Sequence, residues 1–156
     1  MDSGGRRHKY DCFFYVSVGA GGNTISYSPD GKTWTGTGTT VFTSTGKGNK
    51  VTHNGSMYVA VGSGGNTIAY SFEGVLWTGV GAAVFSTAGF GVGYNAYSWV
   101  AVGQGTNTIA TSTDGIAWLG RGTTAFSTAG YNVAWGNNQW IAVGEGTNTI
   151  ASSTSL

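Results

Sequence analysis

The stretch Tyr58-Val59-Ala60-Val61-Gly62 returns as Tyr15-Val16-Ser17-Val18-Gly19, as Trp99-Val100-Ala101-Val102-Gly103 and as Trp140-Ile141-Ala142-Val143-Gly144, at spacings of 43, 41 and 41 residues. Working outward, Asn-Thr-Ile recurs in phase from Asn23, Asn66, Asn107 and Asn148, and a Trp recurs at Trp34, Trp77 and Trp118. Phe42, Phe85 and Phe126 with Gly46, Gly89 and Gly130 complete the pattern. One unit thus fills nearly the whole chain four times. Within it, apolar residues alternate with a period of two and are β-branched or aromatic, so each piece reads as a strand and helical patterning is absent.

In the second unit the expected strands are 50–53, 57–61, 67–71 and 76–79, separated by turns rich in Gly and Asn. Asn54-Gly55 is a two-residue hairpin signal, because both positions must accept positive φ. Four antiparallel strands in about 41 residues is the length of a propeller blade. The expected fold is therefore all-β, a small β-propeller of four four-stranded blades in one domain over 1–156, with repeats at about 13–45, 46–88, 89–129 and 130–156. The last blade lacks its fourth strand. Residues 1–12 read as a divergent leader, either an inner strand or a strand that closes the ring. Four blades is the small limit of a closed ring, and incomplete blade edges leave pairing of two chains open.

The turn after the third strand carries the most specific pattern. It reads Ser28-Pro29-Asp30-Gly31-Lys32-Thr33-Trp34, then Ser71-Phe72-Glu73-Gly74-Val75-Leu76-Trp77, then Ser112-Thr113-Asp114-Gly115-Ile116-Ala117-Trp118. A carboxylate there can accept backbone N–H bonds, Gly supplies positive φ, and the Trp packs over the hairpin against the next blade. This resembles the Asp-box of bacterial neuraminidases and other propellers, shortened by one residue between Asp and Trp. Glu73 departs from Asp in the second box. The resemblance implies a structural role for Ser28, Asp30, Gly31, Trp34, Ser71, Glu73, Gly74, Trp77, Ser112, Asp114, Gly115 and Trp118. It also invites a sialidase, which binds its substrate carboxylate through three converging arginines. Arg6, Arg7 and Arg121 are the whole arginine set, two of them adjacent. Glycoside hydrolysis needs two carboxyl groups about 5 to 10 Å apart, whereas these acids sit on different blades. No catalysis is expected, and a fragment of a longer glycoside hydrolase is the least favoured reading.

Composition narrows the rest. Charged residues are 8% of the chain and the net charge is +1, so a nucleic-acid footprint is missing. No segment reaches the roughly 18 apolar residues a spanning helix needs, so no membrane insertion is expected. Arg6-Arg7-His8-Lys9 before Cys12-Phe13-Phe14 imitates a secretory start, but Asp11 interrupts the junction and the compartment stays unassigned. His8, His53 and Cys12 have no ligand spacing, so no metal site or cofactor is expected. The Gly-rich loops at 19–23, 62–66, 103–107 and 144–148 join strands rather than open helices, which argues for hairpin turns over phosphate cradles. Their second position varies as Ala20, Ser63, Gln104 and Glu145.

Tyr10, His53, Tyr94 and Trp135 fall at one point of each inner strand. Facing one mouth, they would form an aromatic ring and, with Asn54, Asn95 and Asn137, could stack on and hydrogen-bond a sugar. Filling the space between blades is the competing role. The expected function is a non-enzymatic binding module, lectin-like, with a carbohydrate or a protein surface as partner. The alternative is a structural protein that assembles with itself or on a particle.

Overall fold

The computed structural model describes residues 13–155. It is all-β, with antiparallel strands throughout. The first unit holds β1 (Tyr15–Val18), β2 (Ile25–Ser28) and β3 (Thr35–Gly36). The second holds β4 (Lys47–His53), β5 (Tyr58–Ser63), β6 (Ile68–Ser71) and β7 (Thr78–Gly81). The third holds β8 (Ala88–Tyr94), β9 (Trp99–Gln104), β10 (Ile109–Ser112) and β11 (Leu119–Gly120), and the fourth β12 (Ala129–Gly136), β13 (Gln139–Glu145) and β14 (Ile150–Ser153). Each unit is a meander in which successive strands pair. The expected leader or closing strand, with Tyr10, Cys12, His8, Arg6 and Arg7, lies outside the described residues.

Adjacent units are joined through single backbone bridges at one repeated point. Ala20 pairs with Lys47, Ser63 with Ala88, and Gln104 with Ala129. The variable second position of the Gly-rich loops is therefore a bridge point: its backbone is fixed by the joint and its side chain is left free to differ. The inner strands of neighbouring units also interlock. Asn49 Nδ2 donates to the Gly89 carbonyl at 2.8 Å and Thr52 Oγ1 to the Val92 carbonyl at 2.9 Å. Lys50 reaches past the third unit to donate to Asn132 Oδ1 of the fourth at 2.7 Å.

Each inner strand carries a bulge, between Gly48 and Lys50, Gly89 and Gly91, and Gly130 and Asn132. This corrects the repeat register expected at Gly46. The residue equivalent to Gly89 and Gly130 is Gly48, six positions after Phe42, whereas Gly89 and Gly130 lie four after Phe85 and Phe126. The contact decides it: a Cβ at Gly48 would lie 2.6 Å from Val18, and one at Gly89 or Gly130 would lie 2.8 Å from Val61 or Val102. β4 starts at Lys47, earlier than expected, because pairing with β5 continues on the far side of the bulge through Gly48 and Lys47, as it does in β8 through Gly89 and Ala88.

Period-two alternation gives each unit two apolar faces, and consecutive units pack them together. The first joint gathers Ile25, Val16 and Val18 of one unit with Ala60, Ala69 and Trp77 of the next, around Phe42. The second joins Val59, Val61 and Ile68 to Trp99, Ala101 and Ala110 around Phe85, and the third joins Val100 and Val102 to Trp140 and Ala142 around Phe126. All three linker phenylalanines are fully buried. Burying one such ring is worth roughly 1.5 to 3 kcal/mol, so each linker adds to what the strand residues of its joint contribute.

The Asn-Thr-Ile triplet ties these joints laterally. Asn66 Oδ1 accepts from Gly81 N–H at 2.9 Å while its Nδ2 donates to the Val41 carbonyl at 2.6 Å, and Asn107 repeats this with Gly122 and Val84. Thr24 and Thr108, both fully buried, donate to the Phe42 and Phe126 carbonyls of the linkers. These bonds satisfy polar groups that the joints would otherwise bury unpaired.

Candidate functional site

The box turns are closed hydrogen-bond systems. Ser28 Oγ accepts from Gly31 N–H at 2.9 Å and donates to Asp30 Oδ1 at 2.9 Å. Asp30 Oδ1 in turn accepts from the N–H groups of Lys32 and Thr33, both at 2.8 Å. Ser112 and Asp114 repeat the arrangement with Gly115, Ile116 and Ala117. These backbone amides hold both aspartates below the usual carboxylate range, with the seryl hydroxyls adding to the effect. In the second box Ser71 still caps Gly74 at 2.8 Å, but the longer Glu73 side chain makes no hydrogen bond to another described residue. Gly31, Gly74 and Gly115 have φ of 73°, 85° and 76°, the left-handed region the turn requires.

The box tryptophans anchor backward. Trp77 and Trp118 donate Nε1–H to the carbonyls of Gly74 and Gly115 at 3.0 and 3.1 Å and are half-buried. Trp77 joins the cluster between the first and second units, and Trp118 the one between the second and third, so each packs toward the preceding unit rather than the next. Trp34, in the first unit, is 44% exposed.

His53, Tyr94 and Trp135 occupy one position in their units, at or next to the last residue of the inner strands β4, β8 and β12. Each packs against its cross-strand partner, His53 against Tyr58 and Tyr94 against Trp99 with tilted rings and Trp135 against Trp140 edge to face, with centroids 4.2, 4.7 and 5.2 Å apart. All three are half-buried. His53 Nδ1 accepts from Gly55 N–H, its Nε2 is buried with no hydrogen-bond partner among the described residues, and desolvation lowers its pKa. Asn54 and Asn95 shape the turns, each accepting two backbone N–H bonds, and Asn137 sits at φ 50°.

A different feature repeats on the outside of the units. A shallow groove of about 370 Å³ runs along the third-unit box hairpin, lined by Thr111, Ser112, Thr113, Trp118, Leu119 and Arg121. At the equivalent place on the second unit, Tyr70, Ser71, Phe72, Glu73, Leu76 and Thr78 line one of about 330 Å³. Tyr70 and Phe72 meet edge to face at 5.9 Å, and Arg121 Nε donates to Thr111 Oγ1 at 3.0 Å. The sequence pattern gave no hint of this site, because the lining residues differ from unit to unit while the box that positions them does not. Among the described residues no three His, Cys, Asp or Glu side chains cluster as metal ligands, and no helix is long and apolar enough to cross a membrane.

No family model matches the chain, and none of the curated proteins does. Among solved structures it is similar to the crystal structure of the computationally designed Ika4 protein, at 13% identity, over 90% of this chain and 84% of that one, with a TM-score of 0.63. At that identity the likeness concerns the fold alone.

Proposed function

We propose that the four units are blades of an Asp-box β-propeller and that the chain is a non-enzymatic, lectin-like module binding carbohydrate at one shallow site per complete blade. Convergence of the inner strands, with Lys50 of the second unit bonded to Asn132 of the fourth, supports blades set around an axis. Carboxylates held in turns on separate units support a role without catalysis.

The observation that carries the reading is the groove repeated on consecutive box hairpins. It combines an aromatic wall, Trp118 in one unit and Tyr70 with Phe72 in the other, with hydroxyls and a single charged side chain. That mixture suits a sugar, whose ring presents an apolar face for stacking and hydroxyls for hydrogen bonds. Weak sites repeated on a rigid scaffold gain from multivalency when the ligand is itself repetitive.

A glycan array with the intact chain tests this directly. The expected result is retention of a polysaccharide or multivalent glycan, weakened by Arg121→Ala and unaffected by Trp135→Ala. Loss on Trp135→Ala with no effect of Arg121→Ala would move the site to the inner-strand aromatics. No retained glycan would overturn the lectin-like reading.

A further inference from the structure

The stack of units has two unlike ends, and each end presents a face that is buried wherever it occurs inside the chain. At the leading face, Tyr58, Trp99 and Trp140 are 5%, 0% and 3% exposed, whereas the equivalent Tyr15 of the first unit is 60% exposed. Ala60, Ala101 and Ala142 of that face are buried, and the equivalent Ser17 is exposed, as is Trp34 above it. At the trailing face, Val59 and Val61 are fully buried, and Val100 and Val102 are 3% and 0% exposed, while Ile141 and Val143 are 40% and 42% exposed. Ile150, which follows Ile25, Ile68 and Ile109 in the repeat, is 65% exposed. Among the described residues no extended strand contact joins the first unit to the fourth, so the two faces do not cover one another within one chain.

We propose that the trailing face of the fourth unit, built on Ile141, Val143 and Ile150, docks on the leading face of the first unit of a second copy of this chain, built on Tyr15, Ser17 and Trp34. The occupant is a second copy because the fit already exists three times inside each chain: a Val/Ile face received by an aromatic and two small residues. The aromatic and small residues are present at the leading end, with Tyr15 matching Tyr58 and Ser17 standing where Ala60, Ala101 and Ala142 stand. The contact is head to tail. The smallest closed assembly is a pair, in which both end faces of both chains are covered; closure limits growth that an open array would continue. A contiguous apolar face of this kind on a surface otherwise rich in Thr, Ser, Asn and Gly marks an interaction site. The proposal does not depend on carbohydrate binding.

The test is a complementation experiment read by light scattering on a sizing column. Wild type is expected to run at twice the 16.0 kDa chain mass. Val143→Glu blocks the trailing face and Ser17→Glu the leading face; each alone is expected to be monomeric, association weakening at least about 100-fold as a charge is buried in the joint. Mixed in equal amounts, the two variants are expected to recover a pair, since each retains the face the other lacks. That pair holds one joint instead of two and dissociates at higher concentration than wild type. Both substituted side chains are exposed, and matching circular dichroism and melting of the isolated variants establish that they fold; Ile150→Glu and Tyr15→Glu replace them should either fail. A monomeric wild type overturns the proposal, as does pairing that survives Val143→Glu. Val143→Glu monomeric while Ser17→Glu still pairs would mean that trailing faces meet each other and overturns the head-to-tail contact, and a mixture that stays monomeric even at concentrations well above those at which wild type pairs overturns it as well.

Discussion

Val102 and Val143 hold the same position in consecutive units and differ in their surroundings: Val102 is fully buried in the joint between the third and fourth units, and Val143 is 42% exposed on a face that no unit among the described residues covers. Chain identity and strand type are shared, so the difference isolates what the joint contributes. In a Ser17→Glu background, where copies cannot meet, Val102→Ala is expected to lower the unfolding free energy by about 2 kcal/mol. Val143→Ala is expected to lower it by less than about 0.5 kcal/mol. Urea titrations compare the two, and equal losses would contradict the packing described for the joint.

Asn66 and Gly79 are coupled. Asn66 bonds to Gly81 and Val41, and a Cβ built on Gly79 would overlap the Asn66 side chain. Gly79→Ala should therefore destabilise mainly through Asn66, and Asn66→Ala through two lost bonds worth about 1 to 3 kcal/mol together. The double variant is expected to be less destabilised than the two single losses combined, with a coupling of at least about 0.5 kcal/mol. Strict additivity in a double-mutant cycle would show that the close approach does not constrain the strand.

The three boxes differ in whether the acid supports its turn. Glu73→Asp should supply the carboxylate bonds made by Asp30 and Asp114, raising Tm by about 2 °C. The reverse loss depends on pH. Because the folded-state pKa of Asp114 lies below its unfolded value, its contribution is complete above about pH 5 and disappears as pH falls through the folded value. Asp114→Asn should accordingly be less stable than wild type near neutrality, and the two melting curves should converge in acid. A gap that persists unchanged once the pH has fallen below the folded value would place the effect in packing rather than in the charge.

His53 titrates in the opposite chemical sense but with the same slope. Burial lowers its pKa, so the folded protein resists taking up a proton, and stability is lost as pH falls from about 6.5 through the folded value. The third unit carries Tyr94 at this place, with its hydroxyl donating to the Ala96 carbonyl at 2.8 Å. His53→Tyr is expected to flatten the stability profile between about pH 7 and 5. An unchanged slope in thermal melts across that range would remove His53 as its source.

The repeat, the strand type and the box turn were legible because each is local. Alternation fixes a strand within five residues, as at Tyr58 to Gly62, and Ser, Asp and Gly close the turn within four, as at Ser28 to Gly31. What sequence spacing missed depends on partners far along the chain. Two glycines, Gly46 and Gly48, compete for one register, and the bulge with the approach of Val18 and the Thr24 carbonyl selects Gly48. Asn66 reads as a turn residue until its partner Val41, in the preceding linker, is seen. Trp77 and Trp118 pack backward because the turn folds over the preceding unit, which alternation within one unit cannot reveal; Val16 lies against Gly74, and Met57 against Gly115. The grooves were invisible for the same reason. Their walls come from both strands of a hairpin and change identity from Tyr70 to Thr111, so no repeated letter marks them.

That one kind of joint both stacks the units and links two copies is tested most directly by native mass spectrometry of the wild-type chain at low micromolar concentration. The account predicts a dominant species at twice the 16.0 kDa chain mass, without a ladder of larger multiples. A 16.0 kDa species at every concentration would contradict it.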